Sequence, residues 1–269
     1  MATTSLIAKP ERIRSTARGK PLRVGPRDRI IDLLLKPVDR LLHFVGPRYS
    51  LFFWIIAHTP PRVLAWLGDL RTRRAIRYAA RQVPAYHDHL KHPPGDSVDI
   101  AGVTIPETDK VGYVKAFPLP SRCNDGVLPV SRVVIDESSG STGQPFNWVR
   151  TPEERLATHV FISHFARYDY GDGPFVTINA FSMGAWATGL NMGAAMERST
   201  IVKSTGPDIG KILATLEFLG PEREYLICGY PPFLKALIDE AEHCGFPLGE
   251  YRLHALLGGE GMSEGLRDY

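Results

Sequence analysis

The sequence predicts an α/β protein with a mainly parallel sheet and flanking helices, preceded by a helical region. Three observations carry that reading. From residue 151 onward, short β-branched and aromatic runs alternate with stretches of helical periodicity. Glycine or proline marks almost every junction between them. Upstream, Ser138, Ser139, Gly140, Ser141, Thr142 and Gly143 form a glycine- and hydroxyl-dense loop between two runs that read as strands, 132–135 and 146–149.

Residues 1–27 read as a basic, disordered tail, and 28–110 as a helical region with breaks at Gly46-Pro47 and Thr59-Pro60-Pro61. Residues 91–131 are rich in turn formers and are expected to wander, with short strands. Residues 111–269 form the α/β part. Thr151-Pro152-Glu153-Glu154 is a helix start: Thr151 caps, Pro152 suits the first position and Glu154 completes a capping box. Leu156, Val160, His164 and Tyr168, beside Ala157, Phe161 and Phe165, predict an apolar stripe. Strands follow at 175–178, 200–203, 225–228 and 251–257. Helices are expected at 207–219, ended by Gly220-Pro221, and at 233–244, closed by Gly245. The last strand leads into Gly258-Gly259-Glu260, and ligands of such sheets bind beyond the carboxyl ends of the strands.

Composition bounds the function. The chain has 269 residues, 43% hydrophobic and 23% charged, ordinary for a globular protein with a real core. Residues 1–30 hold eight Lys/Arg and two Asp/Glu, a local +6, so the rest carries −3 of a total of +3. A nucleic-acid-binding domain spreads basic surface over its fold, so no nucleic-acid partner is expected. The tail reads as a solvated leader or a membrane-surface contact. The apolar run 51–57 is too short to span a bilayer, which takes about 20 residues. Its helices are expected to pack on the domain or a partner, with peripheral membrane contact as the alternative. Cys123, Cys228 and Cys244 form no paired motif, which predicts reduced thiols and a cytoplasmic setting. His87, His89 and His92 match no metal-site spacing and read as a solvated loop before Pro93-Pro94-Gly95.

The Ser138–Gly143 loop is suited to an anion. Glycines let backbone approach a ligand, and N–H and hydroxyl donors then surround a phosphate. It is not a Walker A loop, because Gln144 follows the last glycine and a strand follows the loop. A Ser/Gly-rich surface hairpin is the plain alternative. No Gly-x-Ser-x-Gly elbow occurs, so a serine hydrolase has little support.

Ser138-Ser139-Gly140-Ser141-Thr142-Gly143-x-Pro145 resembles the phosphate loop of the adenylate-forming acyl-CoA ligases, best the phenylacetate–coenzyme A ligase branch. The stretch holding Phe181, Met183, Gly184, Trp186 and Gly189 is similar to that branch's acyl-pocket segment. Gly258-Gly259-Glu260 resembles its nucleotide-side segment; a helix-start acid is the other reading of Glu260. The resemblance covers roughly residues 80–269. It implies ATP and Mg2+, a small aryl or fatty carboxylic acid as substrate, and coenzyme A as acceptor. The family loop usually carries Lys where this chain has Gln144. The family's Thr-Glu motif, ribose-binding Asp and Lys-bearing lid have no match here. The chain therefore reads as the N-terminal part of a ligase, expected to be inactive alone and to associate as a homodimer or with a second chain. The alternative is a non-catalytic nucleotide- or acyl-binding subunit.

Deleting residues 1–27 should leave the thermal midpoint nearly unchanged. A drop beyond about 4 °C by calorimetry would mean that the tail is docked.

Overall fold

The structure is a computed structural model, and it describes residues 26–92, 97–100, 103–137, 146–173 and 175–267. Helix α1 spans Pro26–Val45, α2 Tyr49–His58, α3 Pro61–Gln82 and α4 Pro84–Lys91. The breaks expected at Gly46-Pro47 and Thr59-Pro60-Pro61 are present. A further break falls at Val83 (φ −110°, ψ 104°), inside a stretch that the sequence reading took as helix. The ring of Pro84 disfavours helical backbone in the residue before it and then starts α4.

The His87–His92 stretch is not the solvated loop expected, because α4 contains His87 and His89. His89 is buried, with Nε2 2.8 Å from the Glu107 carbonyl oxygen and its ring against Tyr113. Among the described residues no group of three or more His, Cys, Asp or Glu gathers to hold a metal ion. Strands β1 (Ser97–Ile100) and β2 (Val103–Pro106) form an antiparallel pair, followed by three short helical turns.

The chain divides into two compact units, residues 1–40 with 59–128 and residues 41–58 with 129–269. In the first, Asp39 on α1 pairs with Arg71 (3.0 Å) and Arg74 (2.6 Å) of α3, and Asp32 lies 3.9 Å from Arg77.

In the second unit, α2 is followed by strands β3 (Val134–Glu137) and β4 (Asn147–Arg150), antiparallel, with Glu137 opposite Asn147. The residues joining them, Ser138–Pro145, are the predicted phosphate loop and lie outside the described residues. Helix α5 (Pro152–Tyr170) starts at the expected cap, where Thr151 Oγ1 accepts from the Glu154 N–H at 3.3 Å. The capping box does not close: the Glu154 carboxylate turns to the Arg150 guanidinium.

The expected apolar stripe of α5 is also corrected. Leu156, Phe161, Phe165 and Tyr168 are exposed, while Ser163, His164 and Ala166 are buried. Polar pairing decides the inward face. His159 and Arg155 reach Asn191, and the Ser163 hydroxyl donates to Ser199 at 3.0 Å. A buried polar group that is hydrogen-bonded need not be excluded from a core.

Then come β5 (Phe175–Asn179), α6 (Ala187–Met196), β6 (Ile201–Ser204), α7 (Ile209–Leu219), β7 (Glu224–Gly229), α8 (Pro231–His243), β8 (Arg252–Leu257) and the short α9 (Glu264–Arg267). The four strands form a parallel sheet in the order β6-β5-β7-β8. The α/β architecture read from the sequence is therefore present. Helix α6 was not foreseen.

The core has one cluster on each face of the sheet. Val176, Ile178, Tyr225 and Ile227 pack with Ile212 and Leu216 of α7 and Leu237 of α8. On the other face, Leu226 and Cys228 pack with Ala166 of α5 and Met192 and Met196 of α6. Successive strand residues point to opposite faces, so β7 feeds both clusters. Burial pushes the Cys228 thiol up to about 12.

His164 anchors α5 within the second unit. Its Nε2 lies 2.8 Å from the Gly46 carbonyl oxygen, and Tyr49, Phe52 and Phe53 of α2 surround the ring. Burial lowers its pKa; the Gly46 hydrogen bond opposes that, and Arg167 and Arg198 add to the lowering. The unfolded chain therefore takes up this proton first. The stability contributed by neutral His164 is complete above the ordinary value of about 6.5. It is lost as the pH falls from there towards the lowered folded value. Melting curves from roughly pH 5 to 8 should show this fall, and His164→Gln, which keeps a donor for Gly46, should flatten it.

Candidate functional site

Because the four strands run parallel, their carboxyl ends share one edge, where open α/β sheets bind ligands. The chain leaves β5 through Ala180-Phe181-Ser182, β6 through Thr205-Gly206-Pro207, β7 through Tyr230, and β8 through Gly258-Gly259-Glu260. A cavity of about 280 Å³ lies there, lined among others by Phe181, Trp186, Tyr230, Phe233, Gly258 and Gly259. Ligand pockets start at roughly 300 Å³, so the space suits one acyl or aromatic group rather than a whole acyl nucleotide. Phe181 and Trp186 of one predicted segment and Gly258 and Gly259 of the other thus meet at one hollow, and Glu260 is outside its lining.

Asn179, buried at the end of β5, shapes the first two exits. Its amide nitrogen donates to the Gly189 carbonyl at 2.8 Å, and its side-chain oxygen accepts from the Phe181 N–H at 3.3 Å. Its backbone carbonyl accepts from the N–H groups of Thr205 and Gly206. Gly189 sits inside α6, against the 181–182 turn. A Cβ there would stand 2.2 Å from the Ser182 carbonyl oxygen, so only glycine allows this approach. Met183 is half-buried, and Gly184 takes φ 95° in an open turn. Met183, Gly184 and Gly189 stand outside the cavity lining.

On the β8 side, the Gly258 N–H donates to the Gly229 carbonyl at 3.1 Å, and Gly259 takes φ 97° beside the Tyr230 ring. The Tyr230 hydroxyl donates to Glu260 Oε1 at 2.9 Å, and that bond raises the phenol's pKa. Glu260 precedes the first residue of α9, Glu264, by a full turn's worth of chain. A position in the helix's first turn is therefore not what holds it.

The hydroxyl loop lies outside the described residues, but both strands that carry it are described. The Glu137 N–H donates to the Ala185 carbonyl at 3.0 Å, and Glu137 bridges Trp186 in parallel. The last residue before the loop is thus joined to the aromatic segment. Asp136, beside it, is buried. Its Oδ2 lies 3.6 Å from Arg150 Nε and accepts from the Asn191 amide at 3.4 Å. Asn191 Oδ1 in turn lies 2.8 Å from His159 Nε2 and 3.4 Å from Arg155 Nε. A buried carboxylate needs such partners, and these fix the base of the loop to α5 and α6.

Sequence reasoning missed Asp136, Asn179, Asn191 and Tyr230. Only Tyr230 carried a signal: it ends a strand pattern immediately before Pro231-Pro232, a helix start.

A comparison of this arrangement with solved structures finds a clear likeness. The chain shares the fold of part of 2-hydroxyisobutyryl-CoA ligase. An open conformation of that ligase, in complex with 2-HIB-AMP and CoA, superposes with a TM-score of 0.65 at 16% identity over 78% of this chain and 51% of the ligase. The thioesterification state of the ligase gives 0.63 at 17% identity over 78% and 46%. Its postadenylation state with 2-HIB-AMP gives 0.62 at 16% identity over 75% and 44%. The chain spans about half the length of these ligases. No protein-family model matches the chain, and no curated protein matches it by sequence.

Asn191→Leu should strand the amide contact of buried Asp136 and lower stability by about 1–3 kcal/mol in urea unfolding. A neutral result would mean that the Asp136–Arg150 pair suffices alone.

Proposed function

We infer that this chain carries the acid- and nucleotide-binding part of an adenylate-forming acyl-CoA ligase, of the phenylacetate–coenzyme A ligase type. One observation supports this most: the strand entering the hydroxyl loop, the aromatic segment and the Gly258–Glu260 segment converge at the carboxyl edge of a sheet with a ligase fold.

In this reading a carboxylate oxygen of an aryl or fatty acid attacks the α-phosphorus of ATP. A P–O bond forms while the bond to the pyrophosphate oxygen breaks. The products are an acyl-adenylate and pyrophosphate. Coenzyme A would then attack the acyl carbonyl through its thiol, expelling AMP. Both reactants of the first step are anions, so the site must hold them in line and neutralise charge.

Ser138, Ser139, Gly140, Ser141, Thr142 and Gly143 would give N–H and hydroxyl donors to the β- and γ-phosphates. Phe181 and Trp186 would form the apolar wall against the acyl group, with Met183, Gly184 and Gly189 shaping the segment behind it. Gly258 and Gly259 would let the nucleotide approach the backbone, and Tyr230 would hold Glu260 in place for it. Magnesium would supply the positive charge that the hydroxyl loop lacks.

Gln144 in place of the family's Lys favours a second reading, a subunit that binds the acyl nucleotide without turnover. Calorimetry with a non-hydrolysable aryl-acyl adenylate analogue tests both. The chain should bind it. Thr142→Ala should weaken binding roughly two- to tenfold, the loss of one hydrogen bond. Gly143→Val and Trp186→Ala should weaken it by about tenfold or more, through steric block and lost aromatic contact. Unchanged affinity in all three folded variants would refute the site. Binding without pyrophosphate release, on supplying acid, ATP and magnesium, would select the second reading.

A further inference from the structure

Helix α1 carries an apolar face that the proposed ligase site leaves unused. Ile30, Leu33, Leu34, Pro37, Leu41 and Phe44 follow at spacings of three, four, seven, eleven and fourteen from the first, so they share one side of the helix. All six are exposed, Leu33 at 65% and Leu34 at 60%. Leu35, about 140° round the helix from Ile30, is buried, so the helix presents another face to the protein, and buried Val45 closes the stripe at the helix's last residue. The outward stripe is about 20 Å long at the helical rise.

The charges along the helix are sorted. Its two acids beyond Ile30 are turned to α3, Asp39 to Arg71 and Arg74, Asp32 towards Arg77. What remains exposed beside the stripe is basic: Lys36 and Arg40 along one edge, and Arg48 with its guanidinium 3.8 Å from the Phe44 ring centroid. The chain before α1 adds to the same sign, since residues 1–30 carry +6. An apolar stripe with a basic margin along one helix matches an anionic bilayer surface. A second copy seated on the same stripe would set this positive margin against itself, which like charges oppose. No described helix is long and apolar enough to cross a membrane, so the contact is with the surface.

We propose that α1 docks this protein on an anionic phospholipid surface, its apolar stripe in the acyl–headgroup boundary and Lys36 and Arg40 on the lipid headgroups. The proposal does not depend on the ligase reading.

The test is co-sedimentation of the full chain with phosphatidylcholine vesicles, plain or with roughly a third phosphatidylserine. The chain should bind the anionic vesicles, and binding should fall between roughly 0.05 and 0.5 M salt. Leu33→Ser with Leu34→Ser should cut binding roughly tenfold or more, since both side chains leave the apolar boundary. Lys36→Gln and Arg40→Gln should each cut it about fivefold at low salt and little at high salt. Both sets of variants should melt like the parent, because the replaced side chains face outward. Three results would each overturn the proposal: no vesicle binding by the parent, binding indifferent to the leucine pair, or a strong loss of stability in that pair. A parent dimer that the leucine variant dissociates would assign the stripe to a second copy instead.

Discussion

Strands β5 and β7 have almost no solvent on either face, and the rest of the second unit takes its place from that constraint. A strand buried on both sides needs a helical layer above and below it. Helices α7 and α8 supply one layer and α5 and α6 the other. Parallel pairing then forces each connection to cross back over the sheet, so all four strands point the same way. Their carboxyl ends are left together, and the backbone there is free of ladder hydrogen bonds. A site at this edge is therefore a product of the topology before any functional side chain is considered.

Polar contacts then tie this edge to its surroundings. Asn179 holds the exits of β5 and β6 with one side chain and one carbonyl. Asp136 and Asn191 fix the β3–β4 pair to the helical layer. Because these groups are buried, loss of one partner removes a hydrogen bond that water does not readily replace. The hollow is thus bounded by strand ends and helices, and β3 leads to the predicted anion loop.

Much of this fold could be read from local chemistry. Proline and glycine set the ends of α1, α3, α5, α7 and α8, and hydrophobic runs set the strands. Helix α6 escaped because Ala187–Met196 holds two glycines and little polar contrast, so it has no amphipathic signature. The face of α5 escaped for the opposite reason. Its phenylalanines point outward and its His159 and Ser163 point inward, because distant partners at Asn191 and Ser199 satisfy them. The site divides along the same line. Glycine-rich segments announce themselves through backbone needs that are local. Asp136, Asn179 and Asn191 gain their roles from residues far along the chain, and one-dimensional spacing carries no trace of that.

The thiol of Cys228 has a consequence for handling the protein. It sits at the end of β7, wholly buried, and its ionisation is pushed up to about 12. The thiolate is the reactive form of cysteine. At neutral pH the folded sheet therefore conceals this sulfur from alkylating agents and oxidants, while Cys244 is exposed to them. The rate at which an alkylating agent labels Cys228 is a clock for the opening of the central strands, and it needs no introduced cysteine.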